Sequence, residues 1–268
     1  MSMIEGMPSN PEISNCDKHG EYEHQYVKVF DGKYMERKSC PECVAESHAA
    51  ANKAKELELA ERKALSIQQS KEWCGITRRN SKFTFDTIIA ETEKQKSVKG
   101  RMIKWLADFK NDKHSVPSVI MTGKVGTGKT VIASCLIEDL VNNGVQKSHA
   151  DFYINYNKAR ILKLIDMIRM LKGTWRKDSE KSEAQLIAHL SGLDLLIIDE
   201  VGMGFDSDTE KMFIFDVIDE RYQNELPTIL ISNLNIEGIK DSIGDRSIDR
   251  LRDGGGILLG MDWESFRK

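Results

Sequence analysis

Apolar residues change their spacing along this chain, and the changes divide it into three parts. The last part, about 76–268, alternates short apolar runs with stretches in which apolar residues recur at helical spacing. Runs of about four to seven apolar residues between helices are typical of strands in a parallel sheet buried on both faces. We therefore predict an α/β domain in which helices flank a parallel β-sheet.

Turn and capping signals place the elements of this part. We predict strands at five runs, namely SVIMTG, FYINY, DLLIIDE, TILISN and GILLGM. VKGRMIKWLADF has helical spacing, and KTVIASCLIEDLVNNG predicts a helix that ends at Gly144. Asn157 is predicted to cap a helix that runs to Gly173, and the charged loop GTWRKDSEKSE follows. SDTE, residues 207–210, is a capping box that opens a helix toward Asn224.

The middle part, 45–75, predicts one long helix. From residue 45 to 73 it has no proline or glycine and is rich in alanine, glutamate, lysine and leucine. A narrow apolar stripe follows one face through Leu57, Ala60, Ala64 and Ile67. Two hypotheses stay open: this helix docks a partner protein, or it is a spacer between two domains.

The first part, 1–44, carries a pattern that favours a metal site. Two residues separate Cys16 from His19 in CDKH, and Cys40 and Cys43 repeat that spacing in CPEC. Two such turns can close a tetrahedral site, and thiolates with one imidazole suit Zn²⁺. We predict a structural zinc-binding module, since so short a segment needs the metal to fold. The other interpretation is four unrelated Cys and His residues. His24 is a possible alternative ligand, but we expect it to be solvated.

Composition and charge limit the class of protein. The chain has 268 residues, of which 40% are apolar and 30% are charged, as in soluble globular proteins. It has neither an apolar run that could span a bilayer nor a signal peptide at its start, so we expect a cytoplasmic protein. The net charge of −3 gives no general attraction to nucleic acid, so any DNA binding must use a local basic patch.

One motif predicts a nucleotide site. GKVGTGKT fits G-x-x-x-x-G-K-[ST] between a predicted strand and a predicted helix. In this loop backbone N–H groups cradle phosphates, Lys129 reaches the β- and γ-phosphates, and the Thr130 hydroxyl ligates Mg²⁺. The nucleotide-binding residues predicted from the motif are Gly123, Lys124, Val125, Gly126, Thr127, Gly128, Lys129 and Thr130.

Polar residues that follow later strands complete the predicted site. Asp199 and Glu200 end the apolar run LLIID, and strand carboxyl ends face the ligand crevice in such sheets. We expect Asp199 to hold Mg²⁺, directly or through water, and Glu200 to orient the attacking water. Asn233 follows the next strand and is a candidate to contact the γ-phosphate or that water; ordinary turn chemistry is the alternative.

An arginine cluster stays open on sequence pattern alone. Arg246, Arg250 and Arg252 lie close together in GDRSIDRLRDGGG, on a short predicted helix. They could be solvated charges, contacts to DNA phosphates, or groups that enter the ATP site of a neighbouring subunit.

Several motifs together resemble the DnaC-type helicase loaders, AAA+ ATPases of the initiator group. They are GKVGTGKT, LLIIDEVG, RYQNELPTILISNL, GDRSIDRLR and the terminal WESFRK, and the resemblance covers about 74–268. The opening CDKHGEY…CPEC resembles the zinc-binding front end of phage and prophage members. The resemblance implies that Arg250 is an arginine finger acting in trans, with Arg246 beside it.

The same resemblance assigns further roles. It implies that Asn233 is the sensor-1 residue and that Arg267 matches the sensor-2 arginine of the tail. Because the chain ends just after Arg267, we expect no C-terminal helical lid. The pocket would then be completed by a neighbouring subunit, which favours an oligomer with ATP at its joints.

The resemblance to DnaC-type loaders also implies a function for the chain. Such proteins are ATPases that bind a DnaB-type hexameric replicative helicase, open or reshape its ring and deliver it onto single-stranded DNA. The zinc module and the helix would dock the helicase, and single-stranded DNA would lie along the AAA+ assembly. Weak candidates for DNA contacts are Lys158, Arg160 and Lys163, for which a solvated face is the alternative. An IstB-type transposition ATPase acting on duplex DNA and a nucleotide-switched adaptor with little turnover are the competing functions.

Overall fold

A computed structural model describes residues 12–28, 34–148, 153–202 and 207–267. The chain divides into two compact units, one ending at Arg62 and one beginning at Lys63. This boundary lies inside a helix, whereas the sequence pattern suggested divisions at about 44 and 75. None of the described helices is both long and apolar enough to cross a membrane.

The first unit is built from two small hairpins and the start of a helix. Its antiparallel strands are β1 (Ile13–Cys16) with β2 (Gly20–Glu23), and β3 (Gln25–Lys28) with β4 (Tyr34–Arg37). The helix α1 spans Pro41–Trp73, so it begins four residues before the predicted part at 45.

One buried histidine joins the two hairpins. The expectation that His24 is solvated is wrong: it is only 6% exposed. Its Nδ1 lies 2.8 Å from a Glu36 carboxylate oxygen, and its Nε2 lies 2.6 Å from the Ser14 hydroxyl. A residue between β2 and β3 thus bonds to both hairpins, which explains its burial in a unit with little apolar core.

The second unit contains the central sheet. Its elements in chain order are α2 (Glu93–Asn111), β5 (Val119–Thr122), α3 (Lys129–Gly144), β6 (Gln146–Lys147), β7 (Tyr153–Ile154), β8 (Ala159–Lys163), α4 (Leu164–Gly173), α5 (Glu183–Ser191), β9 (Leu195–Val201), α6 (Asp208–Gln223), β10 (Thr228–Ser232), α7 (Ile236–Ile243), α8 (Asp245–Arg252) and β11 (Ile257–Gly260). Five parallel strands form the sheet in the order β11-β5-β10-β9-β8. The predicted α/β fold with a parallel sheet is confirmed.

Alternate residues of the three inner strands, β5, β10 and β9, fill two separate apolar layers. On β9, Leu195 and Ile197 face one layer and Leu196 and Ile198 face the other. The first layer is closed by α2 and α3, and the second by α4 to α8. Burial on both faces explains why the strands are continuous apolar runs rather than alternating apolar and polar residues.

The predicted helix after Asn157 is wrong in its first part. Residues Ala159–Lys163 form β8, an edge strand paired with β9, and the helix begins only at Leu164. Its N-cap is Lys163 in an extended conformation, so Asn157 does not cap it. The sequence ARILKLIDM passes from strand to helix without glycine or proline, and its apolar residues also fit a helical period.

Three further differences concern short elements. The run FYINY contributes only β7, which pairs with β6 outside the central sheet, and its first residue lies outside the described residues. The helices α5 and α7 were not predicted. A capping box between Ser182 and Gln185 opens α5, directly after the loop that we predicted from its charges. The capping box at Ser207 and the helix end at Asn224 are as predicted.

The last turns of α1 belong to the second unit. Ser70 is fully buried, and its hydroxyl accepts a hydrogen bond of 2.9 Å from the Tyr156 N–H. The Ile161 N–H donates to the Cys74 carbonyl at 2.8 Å, so β8 is bonded to the residue that follows the helix. The end of α1 is therefore bonded to the other elements of the second unit.

A fully buried arginine holds two helices of the second layer together. Arg221 on α6 is 0% exposed and donates to the carbonyls of Leu190, Ser191, Leu193 and Pro227 and to the Thr228 hydroxyl. The first three acceptors lie at the C-terminus of α5, where carbonyls lack helical partners. Burial lowers the pKa of Arg221 to about 9, a value at which the group is still charged at neutral pH.

Candidate functional site

The phosphate-binding motif forms a tight loop between β5 and α3. Gly123, Gly126 and Gly128 have φ of 142°, 84° and 96°, in the region that favours glycine. A Cβ atom on Gly123 would also lie 2.1 Å from the Met261 carbonyl oxygen. Glycine is therefore required at Gly123 by both backbone conformation and space.

Lys129 folds back into this loop. Its side chain is buried, and its ammonium group donates to the carbonyls of Gly123 at 2.6 Å and Lys124 at 2.8 Å. Burial lowers the pKa of Lys129; the charge of Arg267 acts in the same direction, and the charge of Asp199 opposes both. A phosphate bound in the loop would give this buried cation an anionic partner.

Thr130 and Asp199 meet across the carboxyl ends of the strands. The Thr130 hydroxyl donates to one Asp199 carboxylate oxygen at 2.8 Å, and the Glu200 N–H donates to the other at 2.8 Å. Two oxygens bound to one octahedral Mg²⁺ at about 2.1 Å would lie about 3 Å apart, so the pair fits a shared ion. Burial raises the pKa of Asp199, and these two hydrogen bonds oppose the rise.

Glu200 occupies a strained backbone position beside a lysine. Its φ is 56°, in the left-handed region that costs a non-glycine residue about 1–2 kcal/mol. The pairing of β9 with β10 also shifts register near this point. One Glu200 carboxylate oxygen lies 2.9 Å from the Lys163 ammonium at the end of β8. This ion pair was not predicted, because the sequence pattern placed Lys163 on a helix.

The structure also places Asn233 and Arg267 near the loop. Ser232 on β10 pairs with Thr122 on β5, so the exposed Asn233 follows beside the start of the phosphate loop. Arg267 lies against Gly126, where its Cγ would be 3.5 Å from an added Cβ atom. Both positions are compatible with contacts to a bound nucleotide.

On α8, Arg250 is hydrogen-bonded to α6 and not to the residues of the phosphate loop. Arg250 donates from Nε to Asp219 on α6 at 2.6 Å, and its guanidinium lies 4.6 Å from the centre of the Tyr222 ring. Its side chain is 41% exposed. Arg246 is exposed one turn earlier. Within a single chain, therefore, Arg250 is held against its own α6, and a contact with a neighbouring nucleotide would require it to leave Asp219.

The three candidate DNA contacts have different surroundings. Lys158 is exposed, whereas the Arg160 guanidinium lies 5.2 Å from the centre of the Trp73 ring. Lys163 is paired with Glu200. None of the three lies on a helix, so they do not form the basic helix face that the sequence suggested.

The first unit contains the predicted four-residue metal cluster. Cys16, His19, Cys40 and Cys43 place one ligand atom each within 4.8 Å of one another. The Nδ1 atom of His19 lies 3.7, 3.5 and 3.3 Å from the sulfurs of Cys16, Cys40 and Cys43, and the sulfurs of Cys16 and Cys43 are 3.6 Å apart. Ligand atoms around a tetrahedral ion at the usual bond lengths lie about 3.5–3.8 Å apart, so the four residues fit one metal ion.

Neighbouring groups orient the His19 ring and shift the pKa values of the cysteine ligands. The Nε2 atom of His19 lies 3.2 Å from a Glu46 carboxylate oxygen, an arrangement that directs Nδ1 toward the cluster. Glu46 is also paired with Lys18. Hydrogen bonds from the backbone of Lys18 and His19 lower the pKa of Cys16 to about 6, which favours the thiolate that binds metal, whereas the hydrogen bond with Cys16 raises the pKa of Cys43 to about 11.

Fold and site together define an ATP-binding protein of the AAA+ class. Residues 46–253 match the family described as IstB-like ATP binding protein, and the chain belongs to this family. It is 30% identical over 210 residues to the replicative helicase loader DnaC of Buchnera aphidicola subsp. Acyrthosiphon pisum (strain APS), a match that covers 78% of this chain and 79% of the relative. It is 29% identical over 207 residues to the protein of the same name from Escherichia coli (strain K12), covering 77% and 78%.

Solved structures support the fold. A crystal structure of the DnaC helicase loader superposes with a TM-score of 0.55 and 16% identity, covering 69% of this chain and 99% of that one. DnaA from Aquifex aeolicus bound to AMPPCP gives a TM-score of 0.54 and 19% identity, covering 67% and 50%. At these identities the likeness concerns the fold alone, and it agrees with the predicted resemblance to DnaC-type proteins.

Proposed function

We propose that this chain is an ATP-dependent loader that binds a DnaB-type hexameric replicative helicase, opens or reshapes its ring and delivers it onto single-stranded DNA. The observation that supports this most strongly is the match to replicative helicase loaders over 78% of the chain. A second support is the arrangement of Lys129, Thr130 and Asp199 around the phosphate loop. The loader would act in DNA replication.

The nucleotide chemistry follows from the site residues. Lys129 holds the β- and γ-phosphates, while Thr130 and Asp199 are placed to hold Mg²⁺, which neutralises charge on the phosphate oxygens when bound. Glu200 orients a water whose oxygen attacks the γ-phosphorus as the bond to the leaving ADP oxygen breaks. Because Lys163 pairs with Glu200 at 2.9 Å, that carboxylate must exchange the lysine for the water before hydrolysis. Asn233 contacts the γ-phosphate or the same water.

Self-assembly through the ATP sites is part of the proposal. Arg250, with Arg246 beside it, reaches the nucleotide of the adjoining subunit, and Arg267 contacts the nucleotide of its own chain. Support for the first role is the exposure of the Arg250 side chain, at 41%. Its ion pair with Asp219 must break on assembly, and a nucleotide phosphate would replace the carboxylate as its partner.

The first unit is proposed as the helicase-docking element. We infer that Cys16, His19, Cys40 and Cys43 hold Zn²⁺, because three thiolates and one imidazole in this geometry suit that ion. The exposed apolar residue Leu57 on α1, within this unit, offers a contact to a partner protein. Single-stranded DNA would bind the assembled second units.

A transposition helper that assembles on duplex DNA is the second candidate function. The name of the matching family, IstB-like ATP binding protein, favours it. The named relatives and the metal cluster of the first unit favour the loader. An adaptor with little turnover is less favoured, because β9 carries both Asp199 and Glu200, and Asp199 is bonded to the Thr130 hydroxyl.

Capture of a helicase tests the proposed function. Purified full chain, with Mg²⁺ and ATP, should retain a hexameric replicative helicase on an affinity resin. A shortened chain that starts at Lys63 should lose the helicase but still bind ATP, because it keeps the end of α1 that packs on the core. Helicase capture by the shortened chain would place docking in the second unit. ATP-dependent filaments on duplex DNA without helicase capture would favour the transposition helper.

Mixing two inactive variants tests catalysis in trans. Arg250→Ala and Glu200→Gln should each bind ATP and each lose hydrolysis. An equimolar mixture should regain about a quarter of wild-type turnover, since that share of random head-to-tail junctions joins an intact Glu200 to an intact Arg250. The control mixture of Lys129→Ala with Glu200→Gln damages the same half of every site and should stay inactive. No recovery in the first mixture would contradict the role of Arg250.

Metal analysis tests the zinc proposal. The purified chain should contain one Zn²⁺ per molecule, and Cys40→Ser should lose it because a buried ligand is removed. A zinc-selective chelator that leaves Mg²⁺ bound to ATP should unfold the first unit, detected as faster amide exchange in β1 to β4, while ATP binding by the second unit is unchanged. Cys135→Ser is the matched control, since this buried cysteine belongs to α3 of the second unit and is not one of the four cluster residues. Full folding of the hairpins without bound metal would contradict the assignment.

A further inference from the structure

The segment 261–267 crosses the outer side of the phosphate loop. The indole N–H of Trp263 donates to the Thr127 carbonyl at 3.0 Å, and the backbone N–H of Phe266 donates to the Gly126 carbonyl at 3.0 Å. The Ser265 hydroxyl lies 2.0 Å from where a Cβ atom of Gly126 would be. This segment, called the tail below, is therefore in direct contact with the backbone of the phosphate loop.

These two hydrogen bonds fix two successive peptide units of the loop. In a trans peptide the N–H points opposite to the C=O of the preceding residue. With the Gly126 and Thr127 carbonyls turned toward the tail, the N–H groups of Thr127 and Gly128 point away from it. These are donors that a phosphate loop presents to its anion.

Lys129 and the tail donate hydrogen bonds to different carbonyls of the loop. The lysine ammonium bonds the carbonyls of Gly123 and Lys124, and the tail bonds those of Gly126 and Thr127. The lysine can exchange its carbonyls for phosphate oxygens, because its side chain is long and flexible. The indole is only half-buried but packs against the apolar layer of α2 and α3, which holds its N–H in place.

We propose that Trp263 is a positioning residue for nucleotide binding, and that the tail and the bound triphosphate stabilise each other through the phosphate loop. The proposal deepens the proposed ATP site and rests on it. Trp263 acts through the loop backbone rather than by touching the nucleotide. The hydrogen bond from Phe266 also places the next residue, Arg267, beside the same loop.

Removing one donor tests this role. Trp263→Phe in the full chain deletes the indole N–H and keeps an aromatic ring. Isothermal titration with ATP and Mg²⁺ should show about 2- to 10-fold weaker binding, the effect of one neutral hydrogen bond. In steady-state hydrolysis KM should rise while kcat at saturating ATP changes little. Trp175→Phe is the matched control, because its indole N–H bonds only a surface carboxylate, Glu183, and its ATP affinity should stay unchanged.

Wild-type ATP affinity in Trp263→Phe would overturn the proposal. Absence of ATP binding in the unmodified chain would instead refute the nucleotide site itself, so the two failures are distinguishable. If Trp263→Phe does not fold, amide exchange of the unmodified chain decides. The Phe266 N–H should be protected, and ATP should increase its protection, whereas in Lys129→Ala added ATP should have no effect. Exchange of the Phe266 N–H at the rate of an unstructured peptide, with and without ATP, would contradict the proposal.

Discussion

The buried ammonium group of Lys129 is the constraint on which the nucleotide site depends. A buried ammonium group needs hydrogen-bond acceptors. Here two backbone carbonyls of the phosphate loop supply them. That arrangement requires the loop to wrap closely around the lysine. Only glycines with positive φ allow the backbone to do so, which is why Gly123, Gly126 and Gly128 are spaced as they are.

Sheet topology brings the remaining groups to this cation. In a parallel sheet the carboxyl ends of all strands lie at one edge, so residues far apart in sequence become neighbours. Thr130 after β5 and Asp199 on β9 bond directly although β10 lies between the two strands. The strained backbone at Glu200 and its pairing with Lys163 occur at the same edge. A strained backbone and a buried charge thus occur together at the edge where the chemistry is proposed.

Much of the fold was predictable because its signals are local. Apolar runs, capping boxes and the glycine spacing of GKVGTGKT each report the structure of a few adjacent residues, and the parallel sheet followed from them. The strand β8 was missed because Ile161, Leu162 and Leu164 fit a strand and a helix equally well. Only its pairing with β9, a contact distant in sequence, decides between the two.

The parts of the site that sequence did not reveal are hydrogen bonds to backbone atoms and to distant partners. Trp263 bonds a carbonyl of a residue 136 positions earlier, and no spacing pattern records such a contact. Arg221 likewise bonds carbonyls at the end of another helix. Arg250 was singled out by sequence, but its attachment to Asp219 depends on how α8 packs on α6. The roles of the nucleotide-site residues stay predictions until they are measured.

ATP binding by Lys129→Ala tests the central claim most directly. Isothermal titration of the full chain with ATP and Mg²⁺ should show affinity reduced about 100-fold or more, since charge-assisted hydrogen bonds to two phosphates are lost. Lys104→Ala, which removes an exposed lysine of α2, should bind ATP like the unmodified chain. Unchanged ATP affinity in Lys129→Ala would contradict the assignment of this loop as the phosphate site.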